Sequence, residues 1–254
     1  MKTFALTGAA SGIGAALSAQ LDAEDHKVIS VDIKDADIIA DLSTKSGRED
    51  AVASIAELAA DGLDGFVPLA GLAAGAGHAA TLMTSLNFFG AVEMTEDLRP
   101  LLARNSGAIV MVSSNSGPMS SPDDPLITPL LASDEAAALK IAEKETGLEY
   151  MIGKRAIVYW LRRHAFDYGR DGIRINGVAP GPIDTPMVAA LRDTPGMMDA
   201  VKSLLSMTPF ERLGQPDEVA NTIRFLLSEE ASYISGTVVF VDGGYDAATR
   251  TDHL

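Results

Sequence analysis

Tyr150 and Lys154 carry the strongest chemical signal in this chain, four positions apart in Tyr150-Met151-Ile152-Gly153-Lys154. On a helix that spacing puts both side chains on one face. A free phenol titrates near pH ~10 and is a poor base at neutrality. A neighbouring ammonium, or any other positive charge held close by, favours the phenolate and lowers that value. A phenol tuned like this takes a proton from an alcohol or returns one to a carbonyl oxygen. Alone, the pair is a common accident, because a half-buried tyrosine beside a surface lysine has the same spacing. Its meaning depends on what lies upstream.

Upstream, a strand-like run ends in Thr7-Gly8-Ala9-Ala10-Ser11-Gly12-Ile13-Gly14, and a helix-like run follows. Glycines let the chain turn tightly and let backbone N–H groups approach a pyrophosphate at a helix N-terminus, where the helix dipole favours negative charge. The glycines stand at 8, 12 and 14, a spacing unlike G-x-G-x-x-G. A second strand-like run ends at Asp32. A carboxylate there accepts hydrogen bonds from both ribose hydroxyls of an adenosine and repels a 2′-phosphate. No Arg or Lys lies among Ala9, Ala10 and Ser11, Ile33 follows Asp32, and Lys34 is the nearby cation. NAD is therefore expected rather than NADP. A turn-capping aspartate is the plain alternative for Asp32, as a solvated loop aspartate is for Asp41. Asp41-Leu42 nonetheless sits where adenine would be met, and Ala70-Gly71 offers another close backbone approach.

These residues need a frame. Short apolar runs cover residues 3–7, 27–32, 38–40, 65–69, 108–113, 174–179 and 238–241. Most lack alternation, as strands buried on both faces of a parallel sheet do. Helical patterns cover 13–24, 46–60, 81–102, 149–167 and 216–228. The alternation predicts an α/β fold: a doubly wound, Rossmann-like parallel sheet in one domain over residues 1–254. Two segments interrupt it. Residues 115–147 form an insertion ahead of the helix bearing Tyr150; its first half is Pro- and Ser-rich, and residues 133–144 read as helical. Residues 185–208, with Pro186, Pro195, Met197, Met198 and Met207, read as a substrate lid.

Composition removes several chemistries. Cysteine is absent, so disulfides, thiol nucleophiles and cysteine-ligated zinc are excluded. The four histidines, His26, His78, His164 and His253, show no metal-ligand spacing, and no catalytic metal is expected. A formal net charge of -15 disfavours nucleic acid and anionic membrane surfaces. No run is apolar and long enough to span a bilayer, and only Lys2 precedes the first strand-like run, so a cytoplasmic location is expected.

Taken in order, Thr7 to Gly14, Asn87, Val112-Ser113-Ser114, Tyr150 with Lys154, and Pro180-Gly181-Pro182-Ile183-Asp184-Thr185 resemble the short-chain dehydrogenase/reductase pattern. The likeness runs over residues 2–244. It implies Tyr150 as general acid/base and Lys154 on the nicotinamide ribose, lowering the phenol's pKa. It implies that Ser114, rather than Ser113, hydrogen-bonds the substrate oxygen, and that Asn87 supports a proton-relay water. Ile183 and Thr185, following Pro180 and Gly181, would meet the nicotinamide amide. Three departures stand out: Leu69 occupies a position where the family often has Asn, the stretch from Gly71 to Asn87 is short, and the link from Ser114 to Tyr150 is long.

Ala40-Asp41-Leu42-Ser43-Thr44, Leu63-Asp64-Gly65, Ala70-Gly71-Leu72, the helical insertion and Asp242-Gly243-Gly244 are similar to bacterial 3α-hydroxysteroid dehydrogenase/carbonyl reductases, and less so to coniferyl-alcohol dehydrogenases. The resemblance implies hydride exchange between NAD and a hydrophobic cyclic secondary alcohol or ketone. An aryl or terpenoid alcohol is the alternative substrate. An inactive dinucleotide sensor is the alternative of another class, disfavoured by intact Ser114, Tyr150 and Lys154. Met119, Met151, Met187, Met197 and Met198 are candidates to line an adaptable pocket. Relatives often pair through two long helices, here 81–102 and 149–167. The insertion is expected to occlude that contact and leave a homodimer built around 216–228 and 238–241, rather than a homotetramer.

Overall fold

The computed structural model describes residues 1–73, 76–189 and 196–252. Strands β1 (Thr3–Thr7), β2 (Lys27–Asp32), β3 (Ile38–Ile39), β4 (Gly65–Pro68), β5 (Ala108–Val112), β6 (Arg174–Pro180) and β7 (Val238–Val241) match the expected runs to within two residues at each end. They form one seven-stranded sheet in the order β3-β2-β1-β4-β5-β6-β7. Every pairing is parallel, with Thr7 level with both Val31 and Pro68.

The missing alternation now has its cause. Successive strand residues point to opposite faces, and both faces are covered. Ala5, Phe66, Ile109 and Ile175 enter one core with buried residues of α2 (Lys45–Leu58), α4 (Gly90–Arg104) and α7 (Glu149–Arg170). Leu6, Val67, Val110 and Val178 enter the other, against α1 (Gly12–Ala23) and α10 (Pro216–Leu227). Local chemistry sets the helix starts: Thr44 Oγ1 accepts the Gly47 N–H at 3.1 Å ahead of α2. At α10, Pro216 follows Gln215, whose N–H donates to Glu218 Oε2 at 2.7 Å.

The expected helix over 81–102 is divided. It consists of α3 (Ala80–Thr84), a π-turn (Ser85–Phe89) and α4, so the widened turn surrounds Asn87. Periodicity could not show this, because a π-turn shifts the register without interrupting the apolar pattern. Within the insertion a 3₁₀ turn (Gly117–Met119) and α5 (Ile127–Leu131) lie in the half read as irregular, and α6 (Glu135–Ala142) falls inside the half read as helical.

One buried cation fastens the insertion down. Arg48 of α2 is 1% exposed. Its Nε donates to Glu93 of α4 at 2.7 Å, and its Nη2 donates to Glu135 of α6 at 2.6 Å. Beyond β6 the chain forms α8 (Pro186–Ala189) and α9 (Met197–Ser206), and it closes with α11 (Tyr245–Thr249). The expected lid thus includes α8 and α9; its residues 190–195, like His253, lie outside the described residues. No helix among the described residues is long and apolar enough to cross a membrane.

Candidate active site

In a parallel sheet the strand ends that carry loops to the next helix all lie on one side, and a crevice opens where chain order reverses. Here that point falls between β1 and β4. A cavity of about 720 Å³ opens over these ends.

One end of the cavity is built by the glycine turn. Gly8, Ser11, Gly12, Ile13 and Gly14 line it. A Cβ on Gly14 would stand 2.1 Å from the Gly8 carbonyl oxygen, so the turn closes only around glycine. Gly12 has φ +54° and packs against Thr185, whose Cγ2 would lie 3.2 Å from a Cβ there. Ser11, the N-cap of α1, has no side-chain capping bond. Its short side chain thus leaves the helix N-terminus to the cavity.

Asp32 makes the turn-capping contacts that were one of the two readings from sequence, and its side of the cavity leaves the other reading open to it. It caps the turn, accepting the Ala10 N–H at 3.0 Å and the Ile33 N–H at 2.7 Å. It also lines the cavity, with Asp41 and Leu42 beside it. Asp41 further accepts from the Ser43 N–H and hydroxyl at 3.0 and 2.6 Å, which holds its loop in shape. Ala70 and Gly71 form part of the floor. Leu69 has no amide to steady this strand end, and Thr7 does the work instead. Thr7 Oγ1 accepts the Ala70 N–H at 3.0 Å, and its carbonyl accepts the Leu69 N–H at 3.2 Å.

At the far end stand Ser114, Tyr150 and Lys154, with Pro180 closing β6 and Gly181, Ile183 and Thr185 on the loop after it. That loop is pinned by a parallel bridge between Ile183 and Gly214. Ser113 also reaches the cavity, but its hydroxyl donates to the Lys154 carbonyl at 2.8 Å, so Ser114 is the serine whose hydroxyl is not tied to the catalytic helix's backbone. The Lys154 ammonium is buried and donates to the Val112 carbonyl at 2.9 Å. Burial pushes that ammonium down to about 8.

The phenol departs from the sequence expectation. Burial pushes Tyr150 up, and the hydrogen bond with Ser114 pulls it partly back. Lys154 does not reverse this, since its Nζ lies 5.7 Å from the ring centroid and is engaged with the strand backbone. Removal from water is the larger effect of the chain's own groups.

Asn87 stands behind the cavity floor, in the π-turn. It is buried and is not among the residues lining the cavity. Its amide is engaged at both ends with Leu72, accepting that N–H at 2.8 Å and donating to that carbonyl at 2.9 Å.

Leu72, Leu82, Leu86, Met119, Met151 and Met187 give the cavity that holds Tyr150 apolar lining, with His78, Asn115 and Ser116 as polar lining. Three of the proposed methionines are thus in place; nothing is described for the side chains of Met197 and Met198. Leu82 and Leu86 were not singled out from sequence, although their spacing of four just before Asn87 marks one helix face.

A family model described as short chain dehydrogenase matches residues 2–125, and one described as Enoyl-(Acyl carrier protein) reductase matches residues 130–246. The 3-alpha-hydroxysteroid dehydrogenase/carbonyl reductase of Comamonas testosteroni is 36% identical over 256 residues, covering 98% of each chain. The cis-4-hydroxycyclohexanecarboxylate dehydrogenase of Sinomonas cyclohexanicum is 32% identical, with 95% of each covered. Among solved structures, the 3-alpha-hydroxysteroid dehydrogenase from Pseudomonas sp. B-0831 complexed with NADH superposes with a TM-score of 0.94 at 39% identity, covering 99% of this chain and 100% of that one.

Proposed function

The chain belongs to the short-chain dehydrogenase/reductase family of oxidoreductases, and we propose that it interconverts a hydrophobic cyclic secondary alcohol, such as a 3-hydroxysteroid, and its ketone with NAD. One observation carries this reading. A single cavity joins a glycine turn and Asp32 at one end to Ser114, Tyr150 and Lys154 at the other, with apolar side chains in its lining.

The cofactor end fits a dinucleotide. The uncapped start of α1 suits a pyrophosphate, and Asp32 suits a ribose diol while repelling a 2′-phosphate. Lys34 does not line the cavity. When bound, NAD supplies the acceptor of a hydride and NADH its donor. Lys154 would hold the nicotinamide ribose, and the backbone at Ile183 and Thr185 the amide.

Tyr150 takes the alcohol proton during oxidation and returns it during reduction. Ser114 donates a hydrogen bond to the same oxygen, where charge develops. Because burial raises the phenol's pKa, the positive nicotinamide of NAD is what would favour its ionisation for oxidation. Asn87 acts through Leu72, fixing the cavity floor, and a relay water would hang from the backbone of its π-turn.

The apolar lining favours a ring with little polarity beyond the reacting carbon. The two similar curated proteins both have names that place a hydroxyl on a saturated ring. A panel of steroid, alicyclic and aryl alcohols, followed by absorbance of reduced nicotinamide, tests the proposal. Turnover is expected with NAD on the first two groups and is expected to vanish in Tyr150→Phe, which keeps its cofactor affinity. Preference for aryl alcohols would overturn the substrate class. NAD binding without turnover of any alcohol would point to a sensor.

A further inference from the structure

We infer that Ser116 is a positioning residue for proton transfer, its hydroxyl standing behind Ser114 and setting the direction in which the Ser114 proton points. The inference rests on the alcohol–ketone reading above. Ser116 is the N-cap of the 3₁₀ turn, yet its side chain makes no capping bond. It turns back instead. Its Oγ lies 2.9 Å from Ser114 Oγ, and its own N–H donates to that same oxygen at 3.2 Å. Ser116 is half-buried at the cavity wall.

A serine oxygen has one proton and two lone pairs. The Ser116 N–H fills one pair of Ser114. When Tyr150 is a phenolate it needs a donor, and Ser114 must turn its proton toward it. The remaining lone pair of Ser114 then faces Ser116, whose hydroxyl fills it. Without substrate a chain of donors thus runs Ser116 to Ser114 to Tyr150, and each bond polarises the next; with substrate bound, Ser116 supports the same Ser114 proton as it turns to the substrate oxygen. When the phenol is protonated the chain runs the other way, with Ser114 donating to Ser116. Ser114 can therefore serve Tyr150 in both protonation states without leaving a buried group unpaired.

The electrostatic surroundings leave room for this effect. Lys154 faces the phenol and is committed to the Val112 carbonyl; His78 lines the same cavity, and Arg155 is held on the 3₁₀ turn by Pro118 and Ser120. Glu149, next to Tyr150, is turned to Thr146, whose N–H and hydroxyl donate to it at 2.6 and 2.9 Å. Among the described residues no carboxylate shifts the phenol.

The test compares Ser116→Ala and Ser116→Thr with the unaltered protein. Tyr150 ionisation is read without cofactor, as the ultraviolet phenolate difference between each protein and its Tyr150→Phe counterpart. Loss of the hydroxyl is expected to raise the Tyr150 midpoint by about half a pH unit. It should move the acid limb of the kcat profile for alcohol oxidation the same way and lower kcat near neutrality roughly threefold. KM for NAD should not change, and Ser116→Thr should restore all three readings. Ser116→Gly repeats the deletion and must agree with Ser116→Ala. An unchanged midpoint and pH profile in Ser116→Ala, with Tyr150→Phe inactive, would overturn the role of Ser116 alone. An active Tyr150→Phe would overturn the broader reading instead.

Discussion

Lys154 is a charge that the fold holds at a disadvantage. Its ammonium titrates near 8 in the folded protein because it is buried, against about 10.4 in an unfolded chain. Between those values the unfolded chain binds more protons, so stability rises with pH across that window. Below about pH 8 the full penalty is present. Lys154→Met is therefore expected to stabilise the protein at pH 7 by up to about 3 kcal/mol, less the lost bond to Val112. The gain should fade toward pH 10, and turnover should be lost. Denaturant titrations at both pH values check this; a destabilised variant at pH 7 would contradict it. Asp32 allows a second test. Because the carboxylate also anchors the Ala10 N–H, Asp32→Asn isolates its charge better than Asp32→Ala. Relative use of NADP should rise in both, and the ratio of kcat/KM for the two cofactors reads it. An unaltered protein preferring NADP would refute the assignment of Asp32. At this scale Tyr150, Lys154, Ser114 and the glycine turn were legible because each is a residue type in a sequence context. Ser116 was not, because a serine two positions past another is ordinary until their oxygens are seen 2.9 Å apart.

The strands were readable because double burial leaves them short and mainly apolar, with few polar positions such as Thr7 and Asn176 inside them. The π-turn and α5 were not, since a register shift or a short helix of five residues leaves too little periodicity. The segment after β6 carries a prediction at this scale. Met187 and Val188 of α8 and Val201 of α9 line the cavity, and Val201 is buried. An element that lines the cavity and directly follows the loop proposed to meet the nicotinamide is placed to close over a ligand. Amide hydrogen exchange in 186–189 and 196–206 is expected to slow at least tenfold when NAD and a cyclic alcohol analogue are both present, with less change for NAD alone. Equal strong protection with and without ligands would rule out closure.

Assembly belongs to the molecule as a whole. The insertion's helical content was visible in its alanines, but its anchoring was not, because Arg48, Glu93 and Glu135 lie 45 and 87 residues apart and meet only in three dimensions. That clamp holds α6 against α2 and α4, while α5 buries Ile127 and Leu130 in the core that includes α7. The two helices through which relatives often pair therefore carry the insertion here. At the opposite edge of the sheet the requirement is reversed. The apolar strand β7 is half-exposed along its length, with Phe225 of α10, Phe166 and Tyr233 exposed at 41%, 73% and 104%. An apolar sheet edge with large exposed side chains is a surface that a two-fold mate would cover. Light scattering is expected to give about twice the 26.6 kDa chain mass across a wide concentration range. Phe225→Glu should shift the protein toward monomer with its circular dichroism unchanged. Replacing residues 121–146 by a short link should uncover α4 and α7 and favour larger assemblies. A tetramer in the unaltered protein built through α4 and α7 would show that the insertion accommodates that contact. A dimer indifferent to Phe225→Glu would place the interface elsewhere.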